Sequence, residues 1–219
     1  MSFLKRALLA GTLVTALQTA AQTPSIFRPY SACTFSDGLT IGEISVLPAG
    51  IRGRTVQTLI GPRQVAILGG EHLSFSYPGT DFFATVQIEH LPPASFLQGK
   101  HDLISNFDHI LARGDDSKRN MTYVLRPRLN GFEIYGLDRV RLEGSTLGIY
   151  LLFDNRTQIA TTIYFLNADF DKRKFSTLEA YAQLRDRFLD TYTTCIHAPH
   201  ATTTRKTPGA SSSRQSHRR

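Results

Sequence analysis

The dipeptide Asn130-Gly131 stands between two runs of strand-forming residues, 123–129 and 132–135. Asn-Gly accepts the positive φ that both central residues of a type I′ turn require, and this turn carries the twist of antiparallel strands. The segment is therefore committed to a β-hairpin. Pro127 cannot donate to a ladder, which puts its strand at a sheet edge or at a bulge. Two richer apolar runs follow at 147–153 and 158–166, joined by Asp154-Asn155-Arg156-Thr157. Their high apolar content predicts central strands covered on both faces.

Upstream, short β-type runs at 41–47, 55–60, 64–68, 73–77 and 82–90 are each bounded by Gly or Pro. In the last of these Phe82, Ala84, Val86 and Ile88 alternate with Phe83, Thr85, Gln87 and Glu89, the period of a half-buried strand. Pro92-Pro93 stops it. Ser95 with Gln98 reads as a capping box opening a helix to about residue 113, with a stripe at Leu97, His101, Ile104, Phe107 and Leu111. Gly99 weakens that helix by about 1 kcal/mol. Ser176 with Glu179 reads as a second capping box for a helix through Cys195. Its stripe is Tyr181, Leu184, Phe188, Tyr192 and Cys195, with Arg185, Arg187 and Asp190 falling elsewhere. The expected fold class is α+β: a curved, mainly antiparallel β-sheet with two packed helices, an α/β sandwich.

The ends have a different composition. Lys5-Arg6, an apolar run over 7–17 and the small residues Thr19 and Ala21 form, in order, the parts of a signal peptide over 1–21, with cleavage after Ala21 or Ala20. The apolar run is short of the roughly 20 residues that span a bilayer, and no second stretch of that length follows, so the expected product is exported, periplasmic or extracellular, and not transmembrane. Residues 198–219, rich in Thr, Ser, Pro, His and Arg, read as a disordered tail that offers weak contact with an anionic surface. The chain carries +7, but without these two ends eighteen basic residues face eighteen acidic ones. The single domain expected over 22–197 is thus formally neutral, which argues against nucleic acid as a partner. An oxidising compartment favours a disulfide between the two cysteines, Cys33 and Cys195.

Candidate chemistry is sparse. His101, Asp102, Asp108 and His109 lie on the first helix, but positions 101 and 108 are about 10 Å apart along its axis, too far to share one ion. A solvated helix face explains them. His72, Glu89 and His90 lie on neighbouring expected strands and are able to meet, although polar edge residues account for them equally well. Asp115-Asp116, beside Lys118 and Arg119, reads as solvated loop, and Arg113-Gly114-Asp115 as a chance triplet. Cys195 with His197 is the weakest catalytic pairing, since His197 sits at the fraying helix end. Asn120-Met121-Thr122 and Asn155-Arg156-Thr157 fit the glycosylation pattern. Phosphate-loop, dinucleotide, nucleophile-elbow, zinc-helix and EF-hand patterns are absent. No catalytic, cofactor-binding or metal-binding residue is assigned.

The order of several strands, a helix, a four-stranded antiparallel run and a long C-terminal helix, over roughly residues 50–197, resembles the Mog1/PsbP-like α/β sandwich. The segments 131–136, 148–154 and 188–195 also look like those of an uncharacterised family of exported bacterial proteins. Members of the sandwich superfamily are mostly non-catalytic accessory or binding proteins, and no functional residue carries over. The resemblance implies an exported, non-catalytic binding or accessory protein of unknown ligand or protein partner, with the sheet face or the 114–120 loop as contact surface. A hydrolase using His101, Asp108 and His109, or a structural protein attached to the envelope by its tail, are the alternatives.

Overall fold

A computed structural model describes residues 26–33, 35, 38–76, 82–112, 121–167 and 174–197. The expected signal peptide over 1–21, the tail over 198–219, Asp115, Asp116 and the rest of the 114–120 loop lie outside these residues.

Each expected strand forms. They are β1 (Thr40–Leu47), β2 (Arg52–Thr58), β3 (Gly61–Ile67), β4 (Gly69–Ser76), β5 (Ala84–His90), β6 (Met121–Leu129), β7 (Phe132–Arg139), β8 (Thr146–Asp154) and β9 (Ile159–Leu166). Seven make one antiparallel sheet in the order β1-β4-β5-β9-β8-β7-β6, while β2 and β3 pair as a separate hairpin. Asn130 and Gly131 take φ of 48° and 87°, as a type I′ turn demands. β6 is an edge strand, and its register slips between Arg126 and Leu129, across Pro127. β8 and β9 sit in the sheet interior and are buried along nearly their whole length, because both faces are covered.

The helices are α1 (Arg28–Ser31), α2 (Phe96–Ala112) and α3 (Leu178–His197). On one face Tyr181, Phe188, Leu189 and Tyr192 of α3, with Phe27 and Tyr30 beside α3, bury Phe75, Val86, Ile163 and Phe165 of the sheet. Phe75 and Phe188 meet edge to face at 4.9 Å between ring centres. On the other face Phe96, Leu103 and Phe107 of α2, with Val65 and Ile67 of the hairpin, cover Leu151, Phe153 and Ala160. The molecule is thus three layers with the large sheet in the middle. Cys33 and Cys195 form the expected disulfide, with Cα atoms 5.7 Å apart, tying the segment after α1 to the last turn of α3.

Four helical details depart from the sequence reading. The residues 28–31, read as loop, form the short α1. The buried stripe of α2 is Phe96, Gly99, Leu103 and Phe107, while Leu97 is 77 % exposed. The cause is the β2–β3 hairpin, which packs on the side of α2 where Gly99 sits. A Cβ at Gly99 would stand 3.3 Å from both Leu91 and Val65 side chains, so this glycine permits the approach that the hairpin needs. Gln98 turns to Asp102 Oδ1 at 2.9 Å, away from the expected capping box. Thr177, one residue after Ser176, caps α3 by accepting from the Ala180 N–H at 3.1 Å. Among the described residues no helix is long and apolar enough to cross a membrane.

Candidate ligand-binding cleft

Strand register decides which side chains floor the space beneath α2. Leu151 pairs with Thr162 and Ile149 with Tyr164, so these four share the sheet face that α2 and the hairpin cover. α2 contributes Leu103, Phe107 and Ile110 above them, and β2 brings Arg54 and Gln57 from the side. The layers do not close completely. A cavity of about 610 Å³ remains, bounded at its far end by Arg139 and the 144–146 segment. Its size falls within the roughly 300–1,000 Å³ usual for small-molecule sites. Arg139 is held there by donating from Nε to the Thr146 carbonyl at 2.6 Å.

The lining is mixed: Leu103, Phe107, Ile110, Ile149 and Leu151 are apolar, while Gln57, Asn106, Ser145 and Thr146 add polar groups beside the residues named above. Thr162 is 3 % exposed and its hydroxyl has no hydrogen-bond partner in the protein. The same holds for Arg54 Nε and His109 Nδ1. Each such atom costs about 1–3 kcal/mol if nothing satisfies it, and all three are buried behind the cavity wall. Since Thr162 Oγ1 and His109 Nδ1 both lack partners, they are not joined to each other as nucleophile and base.

Arg54 also reaches the other way. Its guanidinium lies 3.3 Å from Glu89 Oε2, close enough for charge attraction but without the alignment of a hydrogen bond, as that oxygen has no hydrogen-bond partner. Gln87 donates to Glu89 Oε1 at 2.6 Å. Beyond Arg54 a smaller cavity of about 210 Å³ is lined by His72, Gln87 and Glu89. Burial pushes the fully buried Glu89 carboxyl above its ordinary range, against the opposing pull of Arg54 and Gln87. Burial, followed by the Arg54 charge, holds the His72 imidazole below its ordinary value.

Two further polar clusters act as ties between layers. Asp138 on β7 accepts from the Tyr150 hydroxyl at 2.7 Å and the Tyr181 hydroxyl at 2.6 Å, and pairs with Arg185 of α3. Arg185, expected away from the buried stripe, therefore lies inward, because the Asp138 charge lies beneath it. Glycine at 148 leaves room for this cluster, since a Cβ there would meet both the Tyr181 hydroxyl and Asp138. On the opposite face Lys100 of α2 bonds Glu133 Oε2 at 2.6 Å, and that contact holds the Glu133 carboxyl below its ordinary range.

The structure distributes the sequence candidates unevenly. Of His101, Asp102, Asp108 and His109, only His109 lines the main cavity. The His101 side chain is 75 % exposed, Asp108 faces solvent, and Asp102 is buried against Gln98. His72 and Glu89 do meet, but at Arg54, and His90 alternates to the other strand face. Among the described residues no three His, Cys, Asp or Glu side chains gather as metal ligands. Sequence reasoning missed Arg54, Thr162 and Arg139. An arginine in a two-residue alternation with Val56, and paired threonines in an otherwise apolar strand, were the only local signals.

The fold and this cleft define an α+β sandwich with a partly open cavity of mixed polarity under its smaller layer. No protein-family model, no curated protein and no solved structure matches the chain.

Proposed function

We propose that the protein is an exported, non-catalytic binding protein, periplasmic or extracellular, whose small-molecule ligand occupies the cleft between α2, the β2–β3 hairpin and the sheet. The observation that carries this reading is the cavity of about 610 Å³ itself, where Leu103, Phe107 and Leu151 stand beside Arg54, Gln57 and Asn106. A concave space of that size with an apolar wall and a few polar side chains suits a small molecule. The disulfide supports an oxidising compartment, and the resemblance in element order to the Mog1/PsbP-like sandwich agrees with a binding role.

Native mass spectrometry of the mature protein, purified from its own host without reductant, tests this. The expected species starts at Gln22, weighs two hydrogens less than the reduced chain and carries a bound small molecule that is lost in Asn106→Trp, which fills the cleft from α2. A bare chain, or a ligand retained by Asn106→Trp, argues against the site. A hydrolase activity abolished by His109→Ala would replace the binding reading with an enzymatic one.

A further inference from the structure

We propose that the tip of the β2–β3 hairpin is a lipid-contact site, which sets Leu59 and Ile60 into the headgroup region of an anionic bilayer. Neither residue lines the cleft, and the inference does not depend on what the cleft holds.

The turn these two residues occupy does not explain them. Thr58 pairs with Gly61, so Leu59-Ile60 is the whole of the connection between β2 and β3. Gly61 takes φ of 118°, and the Thr58 hydroxyl donates to the Gly61 carbonyl at 2.7 Å, so the residues on either side hold the turn. Turn positions otherwise favour Gly, Pro, Asn, Asp and Ser, as Asn130-Gly131 illustrates in the same chain. The core does not explain them either. Val56, Val65 and Ile67 anchor the hairpin beside α2, whereas Leu59 and Ile60 are 54 % and 78 % exposed. Two adjacent aliphatic side chains thus stand in water at a hairpin end that both folding and solubility would fill with polar residues.

Size and charge choose the occupant. A specific protein interface buries roughly 800 Å² on each partner, far more than two side chains present. A tip of this kind needs a complementary pocket on a protein but none in the fluid headgroup region of a bilayer. Between Glu43 and Glu71 the sequence has no acidic residue, and it has Arg52, Arg54 and Arg63. Arg54 is already engaged by Glu89, but Arg63, three residues after Ile60, is exposed. An aliphatic tip followed by a cation matches an anionic surface, with the side chains against the acyl boundary and the guanidinium at the level of the phosphates. The segment 198–219 adds five cations and no acid, which attract the same surface.

The chain has no tryptophan, so Ile60→Trp places a single fluorescent reporter at the tip. Vesicles of phosphatidylcholine alone, and of phosphatidylcholine with phosphatidylglycerol, are the probes. They are mixed with the full-length mature protein, with Ile60→Trp and with Leu59→Ser/Ile60→Asn, whose new side chains suit a turn. The parent chain is expected to sediment with the anionic vesicles and not with the neutral ones. Leu59→Ser/Ile60→Asn should bind at least about tenfold more weakly, the effect of withdrawing about two methylene groups from lipid, with an unchanged urea midpoint. The emission of Ile60→Trp should move to shorter wavelength on the anionic vesicles. Binding that the double variant retains in full, or an emission that does not move, assigns the contact to the basic tail and overturns the tip as the site. Equal binding to both kinds of vesicle overturns the anionic preference. No vesicle binding overturns the proposal outright, and self-association that the double variant abolishes would then put a second copy of the chain in place of the lipid.

Discussion

Thr162 shows what one unpaired buried atom implies for folding. Its hydroxyl is buried and unpaired in the protein, so Thr162→Val should raise the stability of the ligand-free chain, by about 1 kcal/mol in urea denaturation. A loss of stability would mean that the hydroxyl already has a partner. His72 carries a second residue-scale expectation. Burial holds His72 and His90 below their ordinary 6.5, so as pH falls through that value the unfolded chain takes up protons before the folded one. These histidines thus make stability rise with pH up to about 6.5. Glu89 has the opposite sign: its raised carboxyl removes stability as pH climbs from 4.5 through its folded-state value. His72→Gln should therefore lose less stability than the parent between about pH 7 and about pH 5.5, where Glu89 is common to both chains. An unchanged slope would show that His72 titrates as it does in the unfolded chain.

At the scale of elements, α2 and α3 are each fixed by an apolar stripe and by polar ties to the sheet. α3 is tied through Asp138, which takes two tyrosine hydroxyls and Arg185 into a buried cluster. Removing the carboxylate strands three buried groups, so Asp138→Ala is expected to cost about 3–5 kcal/mol, measured by urea denaturation. A cost under about 1 kcal/mol would assign the cluster no structural weight. α2 separates the sequence reading from the structure directly. Leu97→Ala should change stability by less than about 0.5 kcal/mol, whereas Leu103→Ala should cost about 2–5 kcal/mol. The stripe drawn from Leu97 through Leu111 predicts the reverse order. Periodicity alone located the helix, and the hairpin packing beside Gly99 chose which arc of it is buried. The strands were easier to read, because Asn130-Gly131, Pro127 and the flanking Gly and Pro act on the local backbone.

At the scale of the molecule, the disulfide links the first helix region to the last across 162 positions. Both sheet layers lie within the loop it closes. In the chain-entropy description, opening a loop of that length costs up to about 5 kcal/mol, so Cys33→Ser/Cys195→Ser should lower the unfolding midpoint sharply while leaving the fold recognisable by circular dichroism. An unchanged midpoint would show that the sheet and α3 hold the ends together unaided.

The sequence by itself determined the strand order with its two long helices, the hairpin turn, the covered centre of the sheet, the pairing of the only two cysteines and the α+β class. These follow from backbone preferences and from periodicities two or about four residues long, which a chain displays wherever it is read. The cleft is of another kind. Arg54, His109, Arg139 and Thr162 come from four elements, and no local pattern relates them. Only the stacking of hairpin and α2 on the sheet placed these residues around one cavity, because incomplete filling between layers depends on side-chain volumes and contacts many tens of residues apart. The same stacking set Glu89 against Arg54, left Thr162 unpaired and shaped the cleft on which the proposed binding rests.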